Sequence, residues 1–317
     1  MNTEHTYDIS YGKAHVPVYR TYATPLLDVS PVPESSFMGR QNILFAAEVD
    51  VEVLGQNFLP AYTQGDNSMI VATDTMKNFI LQQALLFSGS TLEAFLTQLG
   101  HQFLATYPIM EQLHLSGREI AFEPAQVALE NARRFGNSEV LFIRSNDDFS
   151  TASMDFVSNA GNPAMTSHRS GRLGLQLFKI TGSAFTNFAR DNYTTLPERV
   201  DRPLFIYLDV YWKYSDSATM QKHYIPGEQV RDVVQSVFHE FVSESIQHLV
   251  HEMGLRLLTR FPQMAEVSFE SQNRTRDPIA MSKTDPKQKV YSDPFPAYGM
   301  IKLTVTRREN RDVSGRK

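Results

Sequence analysis

Two successive helical patterns, stopped by a proline, occur twice in this 317-residue chain, and strand-like segments flank both pairs. The first pair is expected over about 75–87 and 90–106, separated by Ser88-Gly89-Ser90; Phe95, Leu96, Leu99, Phe103 and Leu104 make one apolar stripe and Pro108 stops the run. The second pair is expected over about 228–241, with Val230, Val233, Val234, Val237, Phe238 and Phe241, and about 245–261, with Ile246, Leu249, Val250, Met253 and Leu257. Pro262 ends it as Pro108 ends the first. Alternating segments at 7–22 and 43–54 precede the first pair; 117–130 and 138–147 follow it, with Phe135-Gly136-Asn137 as the turn. In the second half Leu173 to Ile180 and Leu204 to Tyr214 precede, and 264–272 and 299–306 follow. The order β-β-α-α-β-β therefore appears twice. It predicts an α+β fold of two tandem halves, 1–160 and 161–317, each an antiparallel sheet with helices on one face. Sheets of that kind have open edges, and joining edges between subunits removes them.

Composition narrows the chemistry. A net charge of -5 argues against a nucleic-acid partner, and the absence of cysteine excludes disulfides, thiolate metal sites and cysteine nucleophiles. No run approaches the 18 or so apolar residues of a membrane span, the first residues lack a signal pattern, and Ser314-Gly-Arg-Lys317 is not a peroxisomal address. The expectation is a cytoplasmic protein with no membrane partner. Glycine-rich phosphate loops are missing, so no nucleotide cofactor is indicated. His239, His248 and His251 could suggest zinc, but neither His239-Glu240 nor His251-Glu252 completes a HExxH motif, and no third ligand is evident.

Several residues stand out on chemical grounds. Lys13 follows Gly12 inside a strand, where glycine marks a bulge or a close backbone approach. Met69-Ile-Val-Ala72 reads as the end of a buried strand, and Thr73-Asp74-Thr75 as the cap of a helix whose free amides attract anions and polar heterocycles. Phe185 is a core residue by default or a stacking platform for a flat ring. Arg202, between Asp201 and Pro203, either pairs with Asp201 or offers its planar fork to an anionic heterocycle. Gln247, one residue off the apolar stripe, is an ordinary exposed amide unless a ligand presents a donor–acceptor edge.

The segment Leu175-Gln-Leu-Phe-Lys-Ile-Thr-Gly-Ser-Ala-Phe185, continuing through Phe188, Tyr193 and Leu196 to Arg202, resembles the signature of the urate oxidase (uricase) family. Phe178 and Ile180 depart from it conservatively. Tyr11-Gly12-Lys13, Val71-Ala-Thr-Asp74, Ser245-Ile246-Gln247 and Gln272-Asn273 match further family segments in order, across nearly all of residues 7–306. The resemblance implies the tunnelling fold, closed as a tunnel-shaped barrel in a homotetramer whose sites are shared between subunits. It also implies a cofactor-free oxidation of urate by dioxygen, the co-substrate, giving 5-hydroxyisourate and hydrogen peroxide. Lys13 and Thr73 would form the catalytic dyad. A lysine taken out of water gives up its proton more readily, and a threonine hydroxyl relays protons either way. Thr73, Asp74, Phe185, Arg202, Ile246, Gln247 and Asn273 would bind substrate, Asn273 also holding dioxygen or water above the ring. Many family members carry histidine two residues after this asparagine; here Thr275 stands there, which leaves the relay to a hydroxyl. The competing expectations are a zinc-dependent pterin-type enzyme of the same fold and a purine-binding module without turnover.

Overall fold

The computed structural model describes residues 5–129, 134–144, 147–159, 162–292 and 296–308, and the chain separates into two units. The first comprises Met1–Ser30, Met38–Ser170 and Met220–Lys222; the second comprises Pro31–Phe37, Gly171–Thr219 and His223–Lys317. The readings placed on Ser314–Lys317 and on the end of the 117–130 strand lie outside the described residues.

In the first unit β1 (Ser10–Thr21) and β2 (Leu44–Leu54) precede a short α1 (Leu59–Thr63), then α2 (Thr73–Leu86) and α3 (Leu92–Thr106). β3 (Gln112–Glu119), β4 (Phe122–Ala128), β5 (Phe135–Arg144) and β6 (Phe149–Asn159) follow. The strands β1, β2, β3 and β6 pair antiparallel in that order. Burial alternates along β2 and β6, so one face of the sheet is covered, by α2 against β1 and by α3 against β3 and β6. Phe95, Leu96, Leu99 and Phe103 of α3 are fully enclosed there, each worth about 1.5–3 kcal/mol in apolar burial.

β7 (Asn162–Lys179) passes from the first unit into the second at Ser170/Gly171. The second unit continues with β8 (Leu204–Tyr214), α4 (Gly227–Glu240), α5 (Ile246–Arg260), β9 (Met264–Asn273), β10 (Pro278–Met281), β11 (Lys289–Tyr291) and β12 (Gly299–Thr306). Its sheet runs β7, β8, β9, β12. Leu204, Ile206, Leu208, Val210 and Trp212 all point inward from β8, while α5 packs on β9 and β12 and α4 packs on α5. The repeat extends to detail: α3 and α5 are each 15 residues long, capped by Thr91 and Ser245 hydroxyls, and each carries a glycine at the same position, Gly100 and Gly254.

The structure corrects four expectations. The 117–130 strand is two strands, β3 ending at Glu119 and β4 starting at Phe122. Phe135-Gly136-Asn137 is no turn: these residues pair with Ala128, Val127 and Gln126 inside the β4–β5 hairpin, a separate two-stranded sheet. Residues 138–144 do not join the main sheet; the strand that pairs with β3 there is β6. Met69–Ala72 is no strand either; its amides use a turn, Ile70 N–H to the Asn67 carbonyl, and the Tyr11 hydroxyl. A matching inserted hairpin, β10–β11, separates β9 from β12. Among the described residues no helix is long and apolar enough to cross a membrane, which says nothing of strands.

Candidate active site

The singled-out residues fall into two sets. Lys13, Thr73 and Asp74 lie in the first unit; Phe185, Arg202, Ile246, Gln247, Asn273 and Thr275 lie in the second.

Lys13 pairs with Val51 across β1–β2. A side chain on Gly12 would begin 1.9 Å from the Val51 carbonyl oxygen, so only glycine allows this approach. Directly after Lys13 the register slips before resuming at Val16. His15 sits in that bulge at φ 56, its amide donating to the Asp50 carboxylate and its ring bonded to Glu48 at 2.8 Å. Glu48 also holds Arg118 at 3.0 Å. The bulge is thus pinned by three charged groups, and Lys13, half-buried within this chain, stands at its edge.

Tyr11 fixes the second half of this set. Its hydroxyl oxygen accepts the Val71 amide at 3.0 Å and its ring meets Phe58 edge-on, tying the segment before α2 to β1. α2 starts at Thr73 with Ala72 as its cap residue and no side-chain cap, which corrects the capping role expected of Thr73 and Asp74. The Asp74 carboxylate turns along the helix to Lys77 at 2.5 Å and Asn78 at 3.2 Å. These bonds, the Lys77 one first, hold its pKa below the ordinary value, and the charge of Lys13 adds to the effect. First-turn amides have no partner inside a helix, so the uncapped start of α2 presents N–H groups beside Lys13.

In the second unit, three segments are stitched together. Phe185 and Arg199 exchange backbone bonds of 2.7 and 2.9 Å, the Arg202 amide donates to the Ser183 carbonyl at 2.8 Å, and the Ala184 amide donates to the Ser243 carbonyl at 2.7 Å. Buried Ser183 and Ser243 meet through their hydroxyls at 3.2 Å. The Asp201–Arg202 ion pair, one of the two readings the sequence allows, is not the contact made. The Asp201 carboxylate accepts the Thr181 hydroxyl at 2.8 Å and the Gly182 amide at 2.7 Å, and these bonds hold its pKa down. Arg202 instead lies with its guanidinium carbon 5.1 Å from the Phe185 ring centroid, while Phe188 stacks on Phe185 at 4.9 Å and 12°. The Arg202 Nε is buried with no hydrogen-bond partner among the described residues, and loss of water lowers the guanidinium's pKa.

Ser245 caps α5 by accepting the His248 amide; Ile246 is buried behind it and Gln247 is exposed on the first turn. Asn273 closes β9 between Ile206 and Gly299. Its side-chain oxygen accepts the Thr275 amide at 3.0 Å, and the Thr275 hydroxyl accepts the Phe205 amide at 3.2 Å. The Thr275 oxygen therefore anchors the start of β8 while its own hydrogen remains available to donate. Sequence reasoning missed the residues that hold this set: Lys179 and Asp201, both inside the signature, and Ser183 and Ser243. Their only sequence signal was membership of that segment or nearness to Ser245. Of the histidines, His248 meets the Phe241 ring edge-on and His251 lies 3.3 Å from Glu252. Among the described residues no group of three or more His, Asp or Glu side chains is placed to hold a metal.

Comparison with known proteins adds independent findings. The family profile described as Uricase matches residues 168–302. A uricase of Haloferax volcanii is 46% identical over 84% of this chain and 88% of its own length. The uric acid degradation bifunctional protein of Bacillus sp. TB-90 is 45% identical over 94% of this chain, which spans 60% of that longer relative. The crystal structure of Bacillus sp. TB-90 urate oxidase superposes with a TM-score of 0.91 at 43% identity, covering 95% of this chain and 100% of that one.

Proposed function

This chain belongs to the uricase family, and from that premise we propose that it oxidises urate with dioxygen and water to 5-hydroxyisourate and hydrogen peroxide. The observation that carries the reading is Arg202: a half-buried arginine whose enclosed Nε has no partner, laid over an aromatic ring, suits a flat anion. Phe185 offers the ring for stacking, Arg202 and Gln247 read the heterocycle's edge, and Ile246 packs beneath it. Lys13, with Thr73 as relay, removes substrate protons, and the amide of Asp74 receives an oxygen of the substrate at the uncapped start of α2. The resulting dianion is electron-rich enough to reduce dioxygen itself. Two electrons leave the ring for dioxygen and water adds at C5 as hydroxide; the proton it gives up, with one returned from the Lys13–Thr73 pair, completes hydrogen peroxide. Asn273 holds dioxygen or water above the ring, and Thr275 passes protons. No metal or organic cofactor enters this scheme.

The halves 1–160 and 161–317 then carry different parts of the work, proton transfer and purine recognition, and complete sites form between subunits of a homotetramer. The test is the loss of urate absorbance on adding metal-stripped protein, with peroxide measured in parallel and a strong chelator in half the samples. Turnover unaffected by the chelator is expected; urate left intact, or turnover restored only by zinc, contradicts the proposal.

A further inference from the structure

Lys179 ends β7 in an unusual setting. Its ammonium donates to the carbonyls of Phe238 at 2.9 Å, His239 at 3.3 Å and Phe241 at 2.9 Å, and no carboxylate shares it among its described bonds. A lysine has three donors, and here all three go to the carbonyls that the end of α4 leaves open. Burial disfavours its charge and lowers its pKa, a cost that surface lysines avoid by keeping their heads in water.

The contacts place this cation between two turns. On one side lies the α4–α5 connection, whose Ser243 carbonyl takes the Ala184 amide and whose Ser245 caps the helix bearing Gln247. On the other lies the Thr181-Gly182-Ser183 turn. Gly182 adopts φ +77, and a Cβ there would meet the end of the Lys179 side chain at 3.2–3.3 Å. That turn wraps the Asp201 carboxylate, and its Ser183 carbonyl fixes the Arg202 amide. Phe185, Arg202 and Gln247 thus all hang from segments that this ammonium joins.

We propose that Lys179 is a positioning residue for the Phe185–Arg202–Gln247 set, holding the α4–α5 turn against the turn that leads into Phe185. The inference rests on the urate reading above for its kinetic consequence, and on geometry alone for its structural one. Lys179→Met keeps the apolar stem and removes the donors. KM for urate should rise about tenfold while kcat stays within about twofold, since the Lys13–Thr73 pair lies in the other unit. Hydrogen exchange should accelerate at the amides of Ala184 and His248. Leu99→Ala, a cavity in α3 of the other unit, should lower Tm without moving KM. Lys179→Arg, which keeps the charge but presents a planar fork, should fall between parent and methionine variant and serves in its place should the latter not fold. An unchanged KM with unchanged exchange overturns the proposal, as does a KM shift that Leu99→Ala reproduces. Should the parent leave urate untouched, the functional reading falls, and the exchange rates alone decide whether Lys179 holds the two turns.

Discussion

Arg202 and Asp201 are neighbours in sequence that do not pair, so Arg202 is not the surface ion pair its neighbour would allow. Asp201 is occupied by Thr181 and Gly182, so the half-buried arginine lies over Phe185 with its enclosed Nε unpartnered. Replacing Arg202 by lysine keeps the charge and loses the fork; urate affinity should fall by about 1–3 kcal/mol in an anaerobic binding titration. Unchanged affinity would return Arg202 to a structural role. At this scale the sequence singles out candidate residues but not the groups that hold them. Lys13, Arg202 and Gln247 are conspicuous because their spacing matches a signature. Lys179 and Asp201 sit in the same stretch, but their roles depend on carbonyls and amides up to about 60 residues away, which no local pattern reveals.

The helices were legible and the hairpins were not. α2 to α5 begin and end within two residues of their expected bounds, because apolar stripes of period 3.6 and a following proline are strong local signals. The β4–β5 hairpin lacks such a signal: it has no enclosed face, and Val140, Leu141 and Ile143 are exposed along it. β6 carries little pattern of its own, because its inward residues include Ser150 and Ala152, which blunt the alternation. One element carries its own pH dependence. Glu93, in the first turn of α3, is fully buried, bonded by the Ser170 hydroxyl at 2.9 Å, and close enough to Glu119 and Arg40 to feel both charges. Burial above all, with repulsion from Glu119, raises its pKa from 4.5 to about 7. The folded state therefore holds this proton more tightly than the unfolded one. The stabilisation is complete below pH 4.5, declines as pH rises, and is lost through about 7. Glu93→Gln keeps a partner for Ser170 without the titration, so between about pH 5 and 8 its Tm should fall less than the parent's. Parallel Tm profiles for the two proteins would refute this.

At the scale of the whole molecule, the repeat was legible as an order of elements, and the structure adds matching helices and a hairpin inserted before the last strand of each sheet. What one chain's sequence could not display is where the two sets of site residues meet, since that is a property of packing between distant segments. We propose that a urate site is completed by Lys13, Thr73 and Asp74 from one subunit and Phe185, Arg202 and Gln247 from another. Two variants dead by different routes, Lys13→Met and Arg202→Ala, should each stay inactive when unfolded and refolded alone. Refolded together in equal amounts, random assembly unites two intact sets in about a quarter of the sites, so urate oxidation should return to near that fraction of the parent's rate. A mixture as inactive as its components, with oligomers of the parent's size, would contradict the account.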